Sequence, residues 1–151
     1  MTLTVFIPGS PAPQGSKNQF GGESCKRLPG WRSDVRNALL NADNLPKASL
    51  HGPVFMVAEF VLPRPKSMAK KRVGVLSETK PDYDKLLRAM GDAITSSCVF
   101  RDDAQIAAGG WIKRIAEIGE TPGCHLFLTE VKTRADAIAL LLCVMGERET
   151  A

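Results

Sequence analysis

Residues 82–97 carry the strongest helical pattern of the chain, and an acidic cluster stands at each end of them. Pro81 suits a helix entry and Asp82 a capping position. At about 100° per residue, with Asp84 set at 0°, Leu86, Leu87, Met90, Ala93 and Ile94 fall between about 180° and 300°. Asp84, Lys85, Arg88 and Asp92 fall between 0° and about 100°. One face therefore goes to a core, and the opposite face carries two acids and two cations. Asp82 falls off that polar face if it is helical, but reaches it from the cap position. The first cluster reads Lys80-Pro81-Asp82-Tyr83-Asp84-Lys85, and the second Phe100-Arg101-Asp102-Asp103-Ala104-Gln105. Asp84 and Asp103 stand nineteen residues apart. A helix of about 16 residues is about 24 Å long, so spacing alone does not bring them together. A returning strand, or a loop folded under the helix start, has to do so.

If the acids meet, the physics is clear. Carboxylates within a few ångströms repel one another unless a hard divalent cation joins them, and Mg²⁺ takes such oxygen ligands. A metal of this kind acidifies a bound water and stabilises charge on a phosphoryl group. Lys85 or Arg88 could stabilise charge beside the scissile phosphate. The plainer alternatives are a cap for Asp82, a solvated turn for Asp102-Asp103, and an i,i+4 ion pair for Arg88 with Asp84 or Asp92. No Ser-His-Asp or Cys-His arrangement stands out, and His51 and His125 each sit alone. Trp31, Trp111 and Tyr83 are too few and too scattered along the chain to make a base-stacking platform. Tyr83 is read as packing around the cap, with stacking on a base as the alternative.

The 151 residues, 44% hydrophobic and 24% charged, predict one globular domain with a real core, and its patterned strands and helices make it α+β. A formal net charge of +4 is compatible with an acidic partner without identifying one. The basic residues are unevenly spread. Between Pro63 and Arg88 there are eight basic and three acidic residues, including Arg64, Lys66, Lys70, Lys71, Arg72 and Lys80. That run leads directly into the acidic motif and is read as a phosphate-contacting surface. Lys17, Lys26, Arg27 and Arg32 follow a Pro-rich break. They belong either to a mobile surface segment or to a basic arm along a phosphate backbone. Cys25, Cys98, Cys124 and Cys143 show no metal-ligand spacing and are read as reduced thiols of a cytoplasmic protein. The longest apolar stretch, Ala137 to Met145, is too short to span a bilayer.

Alternation predicts a strand over Thr2–Ile7, and Val54–Leu62 reads as a largely buried strand. Ser33 and Asp34 predict a helix start, running to about Ala42. Gln105 to about Ile118 contains a strand with a bulge or bend at Gly109-Gly110, and Cys124–Val131 is predicted to pair with it as a hairpin. A helical tail follows from Arg134 to Met145, its apolar face covering the sheet or meeting a second copy.

Together the motif residues, from Lys80-Pro81-Asp82-Tyr83-Asp84 through Asp92-Ala93-Ile94 to Val99-Phe100-Arg101-Asp102-Asp103-Ala104-Gln105, resemble the signature of RusA-type Holliday junction resolvases. The pattern there is roughly D-x-D-N-x-x-K, then D-A-L, then D-D-x-Q, and the order of elements up to about Val131 also fits. The resemblance implies a nuclease domain over residues 1–131; residues 132–151 lie outside it and are expected to form a helical extension packed on the domain or at a dimer interface. It implies a small homodimeric endonuclease with a mixed sheet and flanking helices. Its activity would be Mg²⁺-dependent cleavage (with Mn²⁺ as a substitute cation) of four-way DNA junctions by paired symmetric nicks. Asp82, Asp84 and Asp103 become the metal-binding catalytic acids, and Asp102 a supporting neighbour. The family's lysine falls on Arg88 and its asparagine on Lys85, so the cationic role rests with one of these two. Arg88 stays protonated and cannot transfer a proton. Cys98 stands where the family often has glycine. Lys17, Lys70, Lys71, Arg72, Lys80 and Lys85 are the expected DNA contacts. Two other readings share the scaffold: a general or structure-selective Mg²⁺ nuclease, and a non-catalytic junction-binding protein.

Overall fold

The run Val-Phe-Met-Val-Ala-Glu-Phe-Val-Leu forms strand β2 (Val54–Leu62), and its near-continuous burial is that of a strand with neighbours on both sides. The computed structural model describes residues 2–15, 19, 22 and 24–146. The other strands are β1 (Thr2–Pro8), β3 (Ile106–Ile115) and β4 (Gly123–Glu130). The helices are α1 (Leu28–Leu40), α2 (Tyr83–Ser96) and α3 (Arg134–Gly146), with a 3-10 turn over Asp103–Gln105. The sheet order is β1-β4-β2-β3; β4 runs antiparallel to β1 and β2, and β2 runs parallel to β3. This is the mixed-sheet α+β architecture that the sequence predicts.

Alternate residues of each strand enter the core. Val54, Met56, Ala58 and Phe60 of β2 and Leu126 and Leu128 of β4 face α1 and α2. Trp31, Val35 and Leu39 meet them from α1, and Leu86, Met90 and Ile94 from α2. α1 begins at Leu28, five residues before the predicted start at Ser33. Pro29 is tolerated in the first turn, where its missing N–H has no intrahelical partner to lose. Leu28 and Trp31 then extend the Val35–Leu39 stripe, and all four are buried.

The predicted hairpin between the strands now labelled β3 and β4 does not form. β4 lies between β1 and β2, and β3 pairs in parallel with β2. The turn signals at 120–123 are real, but the connection crosses the end of β2. Two strand spacings are about 10 Å, well within reach of seven residues. Burial explains the outcome. β4 is buried at five of its eight positions and half-buried at a sixth, whereas β3 is mostly half-exposed and takes the edge. The loop 75–77 covers part of that edge, with Ser77 N–H donating to Lys113 O at 2.8 Å and Ile115 N–H to Val75 O at 2.9 Å. Arg114 secures the crossing. Its Nε donates to Glu59 Oε1 at 2.8 Å, and its two terminal nitrogens grip Glu120 at 2.7 Å each.

The Arg114 guanidinium holds the Glu120 carboxyl down at about 2, and Glu120 holds Arg114 further up. A depressed acid contributes stability above its unfolded value of 4.5, lost as pH falls from there towards 2. Glu120→Gln is therefore expected to lower stability at pH 7 by roughly 1–3 kcal/mol. Thermal unfolding followed from pH 7 to pH 2.5 should show the wild type and the variant converging at the acid end. Parallel curves across that window would remove the ion pair from the account.

α3 packs beside β3, and Ala137, Ile138 and Leu141 line a cavity of about 400 Å³ with Pro53, Ala107 and Ala108. Ile138 and Leu142 are exposed. No described helix is long and apolar enough to cross a membrane.

Candidate active site

Parallel strands need a crossover, and α2 is the crossover from β2 to β3. The two acidic clusters are the two ends of this one connection. Asp82 is the N-cap of α2, in extended conformation, but its side chain does not cap. Its carboxylate instead receives Lys85 Nζ at 2.9 Å. That hydrogen bond and charge hold the Asp82 carboxyl below the usual carboxylate range, with Lys80 and Lys113 adding to the effect. The same bond raises the Lys85 ammonium, and Asp84 adds to that. Lys113, which pattern reading passed over, anchors the approach to the site. From β3 its Nζ donates to Thr79 O at 2.6 Å and Pro81 O at 2.9 Å. No local sequence signal marks it, because the contact spans more than thirty residues.

At the far end of α2 the two adjacent acids have different work. Asp102 caps the 3-10 turn, its Oδ1 accepting from Ala104 N–H at 2.8 Å. Gln105 completes the capping box and pins the turn, donating to Leu50 O at 3.0 Å and Gly52 O at 2.9 Å. Asp103 is thereby turned onto α2, against Gly91. A Cβ at Gly91 would lie 3.1 Å from the Asp103 Cβ, so the close seat depends on glycine. Gly91 is seven residues beyond Asp84, at about 340° on the same wheel and about 10.5 Å further along the axis. Asp84, Arg88 and the seat of Asp103 therefore share one stripe of α2. All three side chains are on exposed residues. Cys98, just past the end of α2, has φ 59°, in the left-handed region that favours glycine. This is the physical reason a glycine suits that position.

The basic residues divide in the same way. A cleft of about 230 Å³ is lined by Arg27, Lys80, Lys85 and Asp82 with Pro13 and Pro81. Three cations against one acid make it suited to a phosphate. Lys70, Lys71 and Arg72 are exposed on the loop after β2, which also delivers Lys80. Arg64 is structural there, donating to Ala69 O at 2.8 Å and Arg72 O at 2.9 Å. Arg32 belongs to α1, where it binds Gln14 and reaches Asp92 Oδ2 at 3.3 Å. Lys17 lies outside the described residues.

Tyr83 and Trp111 are not scattered in space. Their rings stack with centroids 4.4 Å apart and planes 5° from parallel. The expectation that these two residues are scattered is corrected here. It counted distance along the chain, whereas β3 lies beside the start of α2. Trp31, by contrast, is a core residue.

Asp82, Asp84 and Asp103 supply hard oxygen donors, which suit Mg²⁺ in chemical type. Among the described residues, no three acid, histidine or cysteine side chains lie close enough together to hold a metal. Asp82 is engaged with Lys85, and Asp84 and Asp103 are spaced along α2. A cation shared by all three needs the Asp82–Lys85 pair to open and the turn that carries Asp103 to draw towards Asp84.

No curated protein matches the chain. The family model of endodeoxyribonuclease RusA matches residues 8–122, a span from the end of β1 through α2 and both acidic clusters to the loop before β4. The chain belongs to the RusA endodeoxyribonuclease family.

Proposed function

We propose that this protein is a cytoplasmic, homodimeric, Mg²⁺-dependent endonuclease that resolves four-way DNA junctions by paired symmetric nicks. The observation that carries the reading is the crossover itself. It puts Asp84 and Asp103 on one stripe of α2, with Asp82 at the helix start beside a cleft of three cations. Asp82, Asp84 and Asp103 would hold the cation, and Mn²⁺ could replace it. A bound Mg²⁺ supplies charge neutralisation at the phosphate and a more acidic water. The chain's own residues do the rest. Arg27, Lys80 and Lys85 bind phosphate, and the exposed Lys70, Lys71 and Arg72 extend the contact along the backbone. Arg88, between Asp84 and Asp103 on the stripe, stabilises charge at the reacting phosphate as a fixed cation. Lys85, paired with Asp82 here, would exchange it for a phosphate and leave the Asp82 carboxylate available as an oxygen donor to the cation. A twofold dimer puts one site on each of two opposed strands, with Ile138 and Leu142 of α3 as the candidate contact between copies.

Cleavage of a four-way junction and a linear duplex of equal length, compared in Mg²⁺, tests this reading. The expected result is paired nicks in the junction and little attack on the duplex. Equal cleavage of both makes the protein a general nuclease. Tight junction binding without cleavage in either Mg²⁺ or Mn²⁺ makes it a binding protein.

A further inference from the structure

The Tyr83–Trp111 stack is an exposed aromatic surface set against the acids. Tyr83 is 46% and Trp111 48% exposed, about what remains when one face of each ring covers the other. Beside them Leu76 is 70% exposed, and the group borders a cavity of about 360 Å³ that Lys113 also lines. Large apolar surface left in water carries a free-energy cost unless something covers it in use. We infer that a nucleobase unstacked from the DNA branch point covers this surface, stacking on the free ring face next to Asp82 and Asp84. This rests on the DNA-cleaving reading above and deepens it.

Three observations select a base over an apolar partner. Tyr83 lies between Asp82 and Asp84 in sequence, so the platform is continuous with the proposed site. Lys113 lines the same cavity as Tyr83 and Trp111, and Lys80 and Lys85 line the cleft at Asp82, so cations flank the platform. Aromatic rings among cations are what single-stranded nucleic acid requires, one for the base and the other for its phosphate. The platform is also held in advance: Trp111 is on β3, Tyr83 is in the first turn of α2, and Lys113 ties the preceding segment to the sheet. Within a duplex each base already has both faces covered. A branch point offers a base with a face to spare, so the platform discriminates branch from duplex without reading sequence.

Binding is measured without divalent metal, on a four-way junction and on a duplex closed by loops at both ends. Trp31 is buried in the core, and Trp111 is the exposed tryptophan. Junction binding should quench the wild-type emission but leave Trp111→Phe little changed. Trp111→Ala and Tyr83→Ala should each weaken junction binding about 5- to 150-fold and closed-duplex binding much less. Trp111→Phe and Tyr83→Phe should restore most of the affinity, and thermal unfolding shows which variants keep the fold. Unchanged junction affinity in folded alanine variants, or equal losses on both DNAs, overturns the inference. Quenching by the junction from a wild type that cleaves nothing in Mg²⁺ would sink the nuclease reading and leave this one standing. Cleavage without quenching would do the reverse.

Discussion

Asp84→Asn is expected to leave the fold intact and to lower junction cleavage by roughly 10²- to 10⁴-fold. Asp84 is exposed in the first turn of α2, so its removal opens no cavity. The lost interaction with the helix N-terminus is worth about 0.3–1 kcal/mol. What the substitution removes is an anionic oxygen donor, which an amide of the same shape replaces poorly for a hard cation. Binding should move the other way. One negative charge fewer beside Lys85 and Arg88 favours phosphate, so junction affinity is retained or tightened. Cleavage under single-turnover conditions and binding in the absence of metal separate the two effects. A cleavage rate equal to wild type would remove Asp84 from the metal site.

Gly109→Ala should cost about 4 kcal/mol or more, enough to unfold much of a typical domain of this size. Gly109 has φ 148°, a conformation that side chains rarely adopt, and a Cβ there would lie 1.7 Å from the carbonyl oxygen of Met56. The obstacle is backbone on the central strand, which cannot swing aside as a side chain could. Gly109 faces Met56 in the β2–β3 ladder, where the register shifts between Val54 and Phe55. The consequence reaches the site, because β3 carries Trp111 and Lys113 next in line. Gly110→Ala is the internal comparison: its Cβ would meet nothing within 4 Å. Denaturant unfolding of the two variants should therefore differ by several kcal/mol. Similar stability would show that β3 can shift to accept the methyl group.

Legibility followed the range of the interactions. α2 was readable because its apolar stripe and its flanking Pro81 and Asp82 all lie within one helical segment. Val54–Leu62 was readable because nine nearly unbroken apolar residues suit a central strand. The resemblance already separates Asp103 from Asp102, but the physical reason for the division needed the structure. It depends on Gln105 reaching the carbonyls of Leu50 and Gly52, far back in the chain. The glycine pair reads as a bulge or bend; the ladder does skip a residue, at Ala107 just before the pair, and Gly109 itself lets the strand lie against Met56. The hairpin failed because turn chemistry at 120–123 says only that the chain reverses. Which strand it then joins depends on how much apolar surface each candidate neighbour can cover.

By itself the sequence determined the α+β class, the amphipathic helix and the two acidic clusters at its ends, since these follow from local periodicity and composition. Only the tertiary structure decided what the clusters face. The parallel pairing of β2 with β3 made α2 a crossover, seated Asp103 on Gly91, and brought Trp111 and Lys113 to Tyr83 and Pro81. Those contacts join residues far apart in the chain. Their partners are chosen by strand order and burial, which no local pattern encodes.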